Sequence, residues 1–341
     1  MIALEEKFLV NILYRPESEI LNGVDINNIN FEKLITLASG HLMLPALFYN
    51  IQKKKAVYLF PEDFIAYTKN IYAINKARNE ILLDEAKELS ELLVKNNIKH
   101  IFLKGTALLL SNVFEDIGER MIGDIDFIIQ YKDEENIGVL LEKYNYNRQN
   151  SIKLFRLFKP KHLKRRINKN KTIAIEPHLE LLAPGWRGVF NSKKLKKYFK
   201  EGVKTYKAPR KPFLLDHCIY NFQINDFGYM HNKHSHRSIY DIYKIDCKNS
   251  LTIKNSTKDI YTKHFFLTIA KFNIFDIQAT YSILQLYFVK YLRILIVLYI
   301  KLLIIVKVLF NKHLRDRALN KIRIHYHHKT LLNYLYRWLI G

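Results

Sequence analysis

The sequence predicts an α+β fold: a small mixed sheet flanked by N-terminal and C-terminal helical regions. Three observations predict it. Apolar residues recur at three- and four-residue spacing through the first hundred positions. Short apolar runs bounded by Gly, Asn and Pro break that pattern in the middle third. Helical spacing returns from Phe213 onward. The expected divisions are a helical region over 1–97, a sheet-bearing core over 98–212 with a basic insertion at 151–171, and a helical region over 213–341 that ends in a basic, apolar tail.

In the first region the spacing is clearest over Ile74–Lys95. Ile81, Leu82, Ala86, Leu89, Leu92 and Leu93 form one apolar face with Glu and Lys between them, and Asn96 and Asn97 end the run. Asn30–Gln52 carries a similar face through Phe31, Leu34, Ile35, Leu37 and Ala38. At His100 the pattern changes. Ile101-Phe102-Leu103 is a short strand, Lys104-Gly105 a tight turn, and Thr106–Asn112 the start of a helix. Ile125–Ile129 is the second strand, Glu134–Tyr144 a short helix and Thr172–Leu182 the third strand. Pro177 lacks a backbone donor, so the third strand is expected at the sheet edge.

Composition narrows the class. With 341 residues, the prior is two domains or one large one, and such a chain buries a full core without staples. Hydrophobic residues at 49% and charged residues at 26% exclude a disordered chain. The net charge of +23 favours anionic partners: nucleotides, nucleic acid or a membrane surface. Two cysteines, Cys218 and Cys247, exclude a disulfide framework and a cysteine-based zinc site. Glu5 and Glu6 stand where a secretory signal would be basic, so the expected compartment is a reducing cytoplasm.

Two basic segments stand out. Ser151–Lys171 holds nine Lys and Arg and no acid. It reads either as a solvated surface excursion or as a clamp for phosphates. In the tail, Ile294–Ile300 and Leu302–Val306 are apolar runs broken by Lys301, and residues 290–341 hold eleven Lys and Arg against one acid, Asp316. A spanning helix needs about 20 apolar residues, and a central Lys costs roughly 3 kcal/mol there. The readings are a buried core helix, an interfacial helix against anionic lipid, or a span, in that order. Two histidine clusters, His231/His234/His236 and His325/His327/His328, raise a zinc reading that the surrounding Asn and Lys make secondary.

The chemistry-bearing signal lies between Leu103 and Ile129. Asp124 and Asp126 are two apart at the start of a strand, so they share a face. Two such carboxylates repel, and the usual compensation is a hard divalent cation such as Mg²⁺. A D-x-D pair alone is often only a surface turn. Here an apolar strand follows at once, and the strand–Gly–helix turn upstream offers free backbone N–H groups suited to phosphate. A metal pair beside a phosphate cradle is equipment for nucleotidyl or phosphoryl transfer. A third carboxylate is expected from the strand holding Glu176, His178 and Glu180, which share a face on an extended chain. Glu176 is the first choice and Glu180 the reserve.

These residues resemble a known family. Leu103-Lys-Gly-Thr-Ala-Leu108, Phe114–Arg120 and Gly123-Asp-Ile-Asp-Phe127 are similar to the core of the uncharacterised bacterial nucleotidyltransferase family of the DNA polymerase β superfamily. Glu176-Pro177-His178 is similar to its acidic-x-His strand. Flanking stretches, Asn30–Phe48 with His41 and the His217…Arg237…Asp241 segment, are similar to its helical parts, so the likeness covers roughly residues 28–248. The resemblance implies metal ligation by Asp124, Asp126 and Glu176, with Mg²⁺ or Mn²⁺. It implies nucleotide binding by Lys104, Gly105, Thr106 and Arg120, where Thr106 keeps a hydroxyl at the turn. His178, Glu180, Arg237 and Asp241 are candidates for the cleft, the last two sharing a helix face. The expected partners are a nucleoside triphosphate and a hydroxyl acceptor (small molecule, protein or RNA), with peripheral membrane contact through the tail. The alternatives are a non-catalytic nucleotide-binding protein docked on a membrane or a protein partner, and an RNA binder that reads phosphates.

Overall fold

A computed structural model describes residues 2–148, 161–183, 208–246 and 259–275, with isolated positions at 186, 188–190 and 195 and between 284 and 316. The chain opens with four helices, α1 (Leu4–Tyr14), α2 (Phe31–Gly40), α3 (Leu44–Lys53) and α4 (Glu62–Lys95). Glu5 and Glu6 favour the first turn of α1. The Asn30 side chain caps α2 by accepting the Lys33 N–H. Pro45 sits in the first turn of α3, where no backbone donor is needed. At 34 residues, α4 is about 50 Å long. Asn97, at φ +56°, turns the chain out of it into the sheet.

Five strands follow: β1 (His100–Phe102), β2 (Asp124–Ile129), β3 (Tyr146–Arg148), β4 (Arg166–Asn168) and β5 (Ala174–His178). Their order is β1-β2-β5-β4-β3. β2 and β5 run parallel and every other pair antiparallel, so the sheet is mixed, as expected. Helix α5 (Lys104–Leu110) follows β1, and α6 (Glu134–Lys143) links β2 to β3. Beyond the sheet come α7 (Lys211–Tyr220), α8 (His236–Asp246) and α9 (Ile260–Ile269).

One helix sets the level of the strands that carry the site. Leu82, Ala86, Leu89 and Leu93 bury one face of α4. Its polar positions at the same spacing hold backbone from the neighbouring loops. Asn75 Nδ2 donates to Gly118 O at 2.7 Å, and Asn79 Nδ2 to Arg120 O at 2.8 Å. Arg78 donates to Ile122 O and Gly123 O. Glu85 accepts the Thr172 and Ile173 N–H groups at the entry to β5. Buried amides and carbonyls need such partners, so α4 fixes both the loop before Asp124 and the start of β5.

Two expectations are corrected. The third strand is shorter than Thr172–Leu182 and lies inside the sheet, between β2 and β4, not at its edge. Pro177 is tolerated because β4 pairs with β5 only at Arg166↔Ile175. By Pro177 the neighbouring chain is the 161–163 segment, and Leu163 N–H donates to Pro177 O, which asks for an acceptor alone. The basic insertion is not simply a solvated excursion. Arg166 begins β4 with its side chain 3% exposed and donates to Tyr146 O and Glu142. Lys153, Arg156 and Lys159 lie outside the described residues.

In the tail, the described apolar positions Ile294, Leu295, Leu298, Tyr299, Leu302 and Val306 are exposed, which corrects the buried-core reading there. Lys301 and the cluster His325/His327/His328 lie outside the described residues. Among the described residues no single helix is long and apolar enough to cross a membrane. The bent pair α2–α3 passes that test only jointly, at a 120° break, and its apolar faces belong to the main core.

Candidate active site

The site forms where β2 and β5 run side by side. Their parallel register sets Asp126 directly opposite Glu176. Asp124 lies two residues before Asp126 on β2 and shares its face by the two-residue period. His178, two beyond Glu176, shares the Glu176 face in the same way. His178 Nε2 lies 2.8 Å from Asp126 Oδ1 and 3.0 Å from Glu176 Oε2. Both partners only accept, so Nε2 carries the proton. Asp126, Glu176 and His178 each offer one ligand atom, all within 4.8 Å of one another.

Lys104 approaches from the turn between β1 and α5. It takes φ +50°, a left-handed conformation that costs a non-glycine residue about 1–2 kcal/mol. Two contacts hold it there. Leu103 N–H donates to Asp126 O at 2.9 Å, and Lys104 Nζ reaches Asp126 Oδ1 at 2.7 Å and Glu176 Oε2 at 3.8 Å. At Gly105 a side chain has no room: a Cβ would meet Ile122 Cγ1 at 2.8 Å. The start of α5 therefore lies tight against the loop that leads to Asp124.

The charges divide unevenly. Burial would raise Asp126, but Lys104 and His178 outweigh it and hold its carboxyl well below the usual range. Burial likewise opposes ionisation of Glu176 and is outweighed by His178, His162 and Lys104. Burial acts against the Lys104 ammonium, and Asp126, Glu176 and Asp124 more than restore it. Asp124 has weaker support, because Lys104 and Arg165 offset only part of its burden. Burial and the Asp126 carboxylate push it up to about 6, and its nearest cation, Arg165 Nε, is 3.8 Å away. Asp124 is thus a carboxylate whose burial and like-charged neighbour outweigh the cations near it, and a divalent cation would relieve that repulsion.

A cleft of about 750 Å³, its open mouth included, lies in front of Asp124, Asp126, Lys104 and Gly105. Its far wall comes from α7, α8 and the turn after α7, through His217, Asn221, Asp226, Arg237 and Asp241. Arg120 makes a two-pronged ion pair with Asp241, at 2.6 and 2.9 Å. This ties the β2 loop to α8, and Glu119 reinforces the tie by accepting from Tyr240 and Lys244. Arg237 reaches Asp226 at 3.7 Å.

The structure brings together Lys104, Gly105, Asp124, Asp126, Glu176 and His178, with Arg120, Arg237 and Asp241 across the cleft. Two expectations change. Glu180 lies past the end of β5 and accepts from Tyr131 OH at 3.0 Å, away from the aspartates. Thr106 is fully buried, and its hydroxyl contacts Asp124 O at 3.4 Å. It braces β2 and does not face the cleft. Sequence reasoning missed His162, whose Nδ1 is 3.3 Å from Glu176 Oε1, and marked Lys161, which burial and Lys104 push below its ordinary pKa, only as one of the nine basic residues of Ser151–Lys171. Both sit in the basic insertion, where neither periodicity nor spacing marks them. His162 reaches the site through a single bridge to His178. Asp226 was also missed. It follows one turn of π-helix, Asn221–Asn225, a distortion that recurs at functional sites.

A five-stranded mixed sheet with helical regions before and after it is the architecture of an α+β nucleotidyltransferase, and here it sets paired aspartates at the head of one strand, a third acid on its parallel neighbour and a Gly turn alongside. A family model described as an uncharacterised nucleotidyltransferase matches residues 27–245. That is well over half of the chain, which belongs to this family. No curated protein matches it.

Proposed function

We propose that the protein is a metal-dependent nucleotidyltransferase that moves a nucleoside monophosphate from a nucleoside triphosphate to a hydroxyl acceptor, with release of pyrophosphate. The observation that carries this reading is the convergence of Asp124, Asp126 and Glu176 on two paired parallel strands beside the Lys104-Gly105 turn. The donor set is oxygen-rich and its carboxylates repel one another, so the site fits Mg²⁺ or Mn²⁺. Asp124, Asp126 and Glu176 would hold the cation. When bound, such ions neutralise charge on the phosphates and on the attacking oxygen.

The chain's own groups supply the rest. Lys104 stands at the cleft floor, where its ammonium can pair with phosphate oxygens as the nucleotide enters. Gly105 lets the backbone come close to them. His178 holds Asp126 and Glu176 in fixed orientation, and Glu176 is placed to take the acceptor proton. Arg120, locked by Asp241, positions the loop that presents Asp124. Catalysis of this kind rests on proximity and charge, with no covalent intermediate.

The test uses purified protein, each α-labelled nucleoside triphosphate and Mg²⁺ or Mn²⁺ in a lysate of the source cells. An Asp124→Asn/Asp126→Asn variant serves as control. Label carried onto a small molecule, protein or RNA by wild type alone supports the reading and names the acceptor class. If label stays on nucleotide in every combination, the reading fails and a non-catalytic nucleotide-binding role takes its place.

A further inference from the structure

We propose that Glu6, His41, His234 and His236 form a second metal site, which takes a divalent transition ion of the zinc class and pins the start of α8 to the N-terminal helices. The four groups come from three separate segments. Glu6 is in the first turn of α1, His41 follows the last residue of α2, and His234 and His236 lead into α8. Glu6 Oε1 is 2.8 Å from His234 Nε2 and 3.1 Å from His236 Nε2. His41 closes the third side, edge-on to His236 at 4.8 Å between ring centres and stacked on His234 at 5.9 Å.

The spacing fits an ion once the histidine atoms draw together and Glu6 Oε1, now in direct contact with two rings, moves slightly outward. One ligand atom from each histidine lies within 4.8 Å of the others. Around tetrahedral zinc, with bonds of about 2.0–2.1 Å, neighbouring ligands are about 3.4 Å apart. Side-chain rotation covers the difference. Among the described residues His41 makes one hydrogen bond, a long contact of 3.4 Å from the His236 N–H to Nδ1, and little is lost by exchanging it for a ligand bond. His236 is fully buried, and among the described residues its Nδ1 has no hydrogen-bond partner.

The orientation of Glu6 also fits, since its Oε1 faces both His234 and His236. Lys271 lies 3.9 Å from the other oxygen, Oε2, which leaves Oε1 facing the rings. Phe272 covers His234 and His236 at 5.1 and 5.2 Å and shields that side from water. Three imidazoles and one carboxylate suit zinc-class ions and not Mg²⁺.

This site does not depend on the transferase reading. It differs from the Asp126/Glu176/His178 group, which holds one imidazole. His231 takes no part in it. Of the expected trio only His234 and His236 converge, and His41, distant in sequence, completes the set. His236 immediately precedes Arg237 and lies about one turn from Asp241, so an ion here would anchor the far wall of the cleft.

The test is zinc content and zinc-edge X-ray absorption of the untagged full chain, purified without chelator. The expected result is about one zinc per chain with three imidazoles in its shell, unchanged in Asp124→Asn. His41→Gln and His234→Gln, checked for folding by circular dichroism, should weaken zinc binding more than about 100-fold in competition with a chromophoric chelator. Overturning results are no retained zinc, a shell with a single imidazole, or unchanged affinity in both folded variants. Should the variants not fold, the imidazole count of the wild type decides the matter alone.

Discussion

Asp124→Asn should make the cation-free protein more stable at neutral pH while removing its activity. The Asp124 carboxyl is raised from its ordinary 3.8 to about 6 by burial and by the Asp126 carboxylate. A group raised in the folded state contributes stability that is fully present below about pH 4 and lost as pH climbs through about 6. At pH 7 in chelator, wild type therefore carries a charge that disfavours folding. The rise corresponds to at most about 3 kcal/mol, at about 1.4 kcal/mol per pH unit. The side chain is 28% exposed, and solvent screening reduces the effect to about 1–2 kcal/mol. Asparagine keeps the shape and drops the charge. The melting temperature in EDTA at pH 7 should rise by about 1–3 °C, and the gain should vanish at pH 4, where wild-type Asp124 is largely protonated. A variant that melts below wild type at pH 7, or a gain that persists at pH 4, would refute this account of the site's electrostatics.

The other perturbations read the same architecture from different sides. Asp126→Ala should act in the opposite direction and lower stability by about 3 kcal/mol in urea unfolding, because Lys104 and His178 lose their nearer shared carboxylate in a buried site and keep only Glu176; a neutral effect would mean that the cluster is looser than described. Gly105→Ala forces a Cβ to within 2.8 Å of Ile122, so it should cost about 1–3 kcal/mol and raise KM for the nucleotide more than it lowers kcat. Arg120→Ala and Asp241→Ala should each cost about 3 kcal/mol, and the double variant should cost well under their sum, with a coupling of about 2 kcal/mol; strictly additive losses would show that the two side chains do not act as a pair.

Much of the site could be read before the fold because short-range rules govern it. Asp124 and Asp126 had to share a face once Ile125–Ile129 was recognised as a strand, and Gly105 marked the turn by its position after Ile101-Phe102-Leu103. Long-range pairing was not legible. Pro177 pointed to an edge strand, yet the chain beside it needed only its carbonyl. The strands Tyr146–Arg148 and Arg166–Asn168 are three residues each and carry no alternation long enough to detect. Glu180 keeps the two-residue spacing with Glu176, but the strand ends at His178 and the chain turns its carboxylate toward Tyr131. The histidine cluster shows the same limit. His234 and His236 are neighbours in sequence, whereas Glu6 and His41 reach them only because α1 and α2 pack against the start of α8.

The account stands or falls on which phosphate moves. Wild-type protein should be incubated with its preferred nucleotide, Mg²⁺ and the acceptor fraction, once with the label at the α-phosphate and once at the γ-phosphate. The geometry of Asp124, Asp126 and Glu176 beside Lys104 predicts that α-label passes to the acceptor and γ-label leaves in pyrophosphate. The opposite outcome, γ-label on the acceptor and α-label left in the nucleoside diphosphate, would contradict it and make the same cleft a phosphoryl-transfer site.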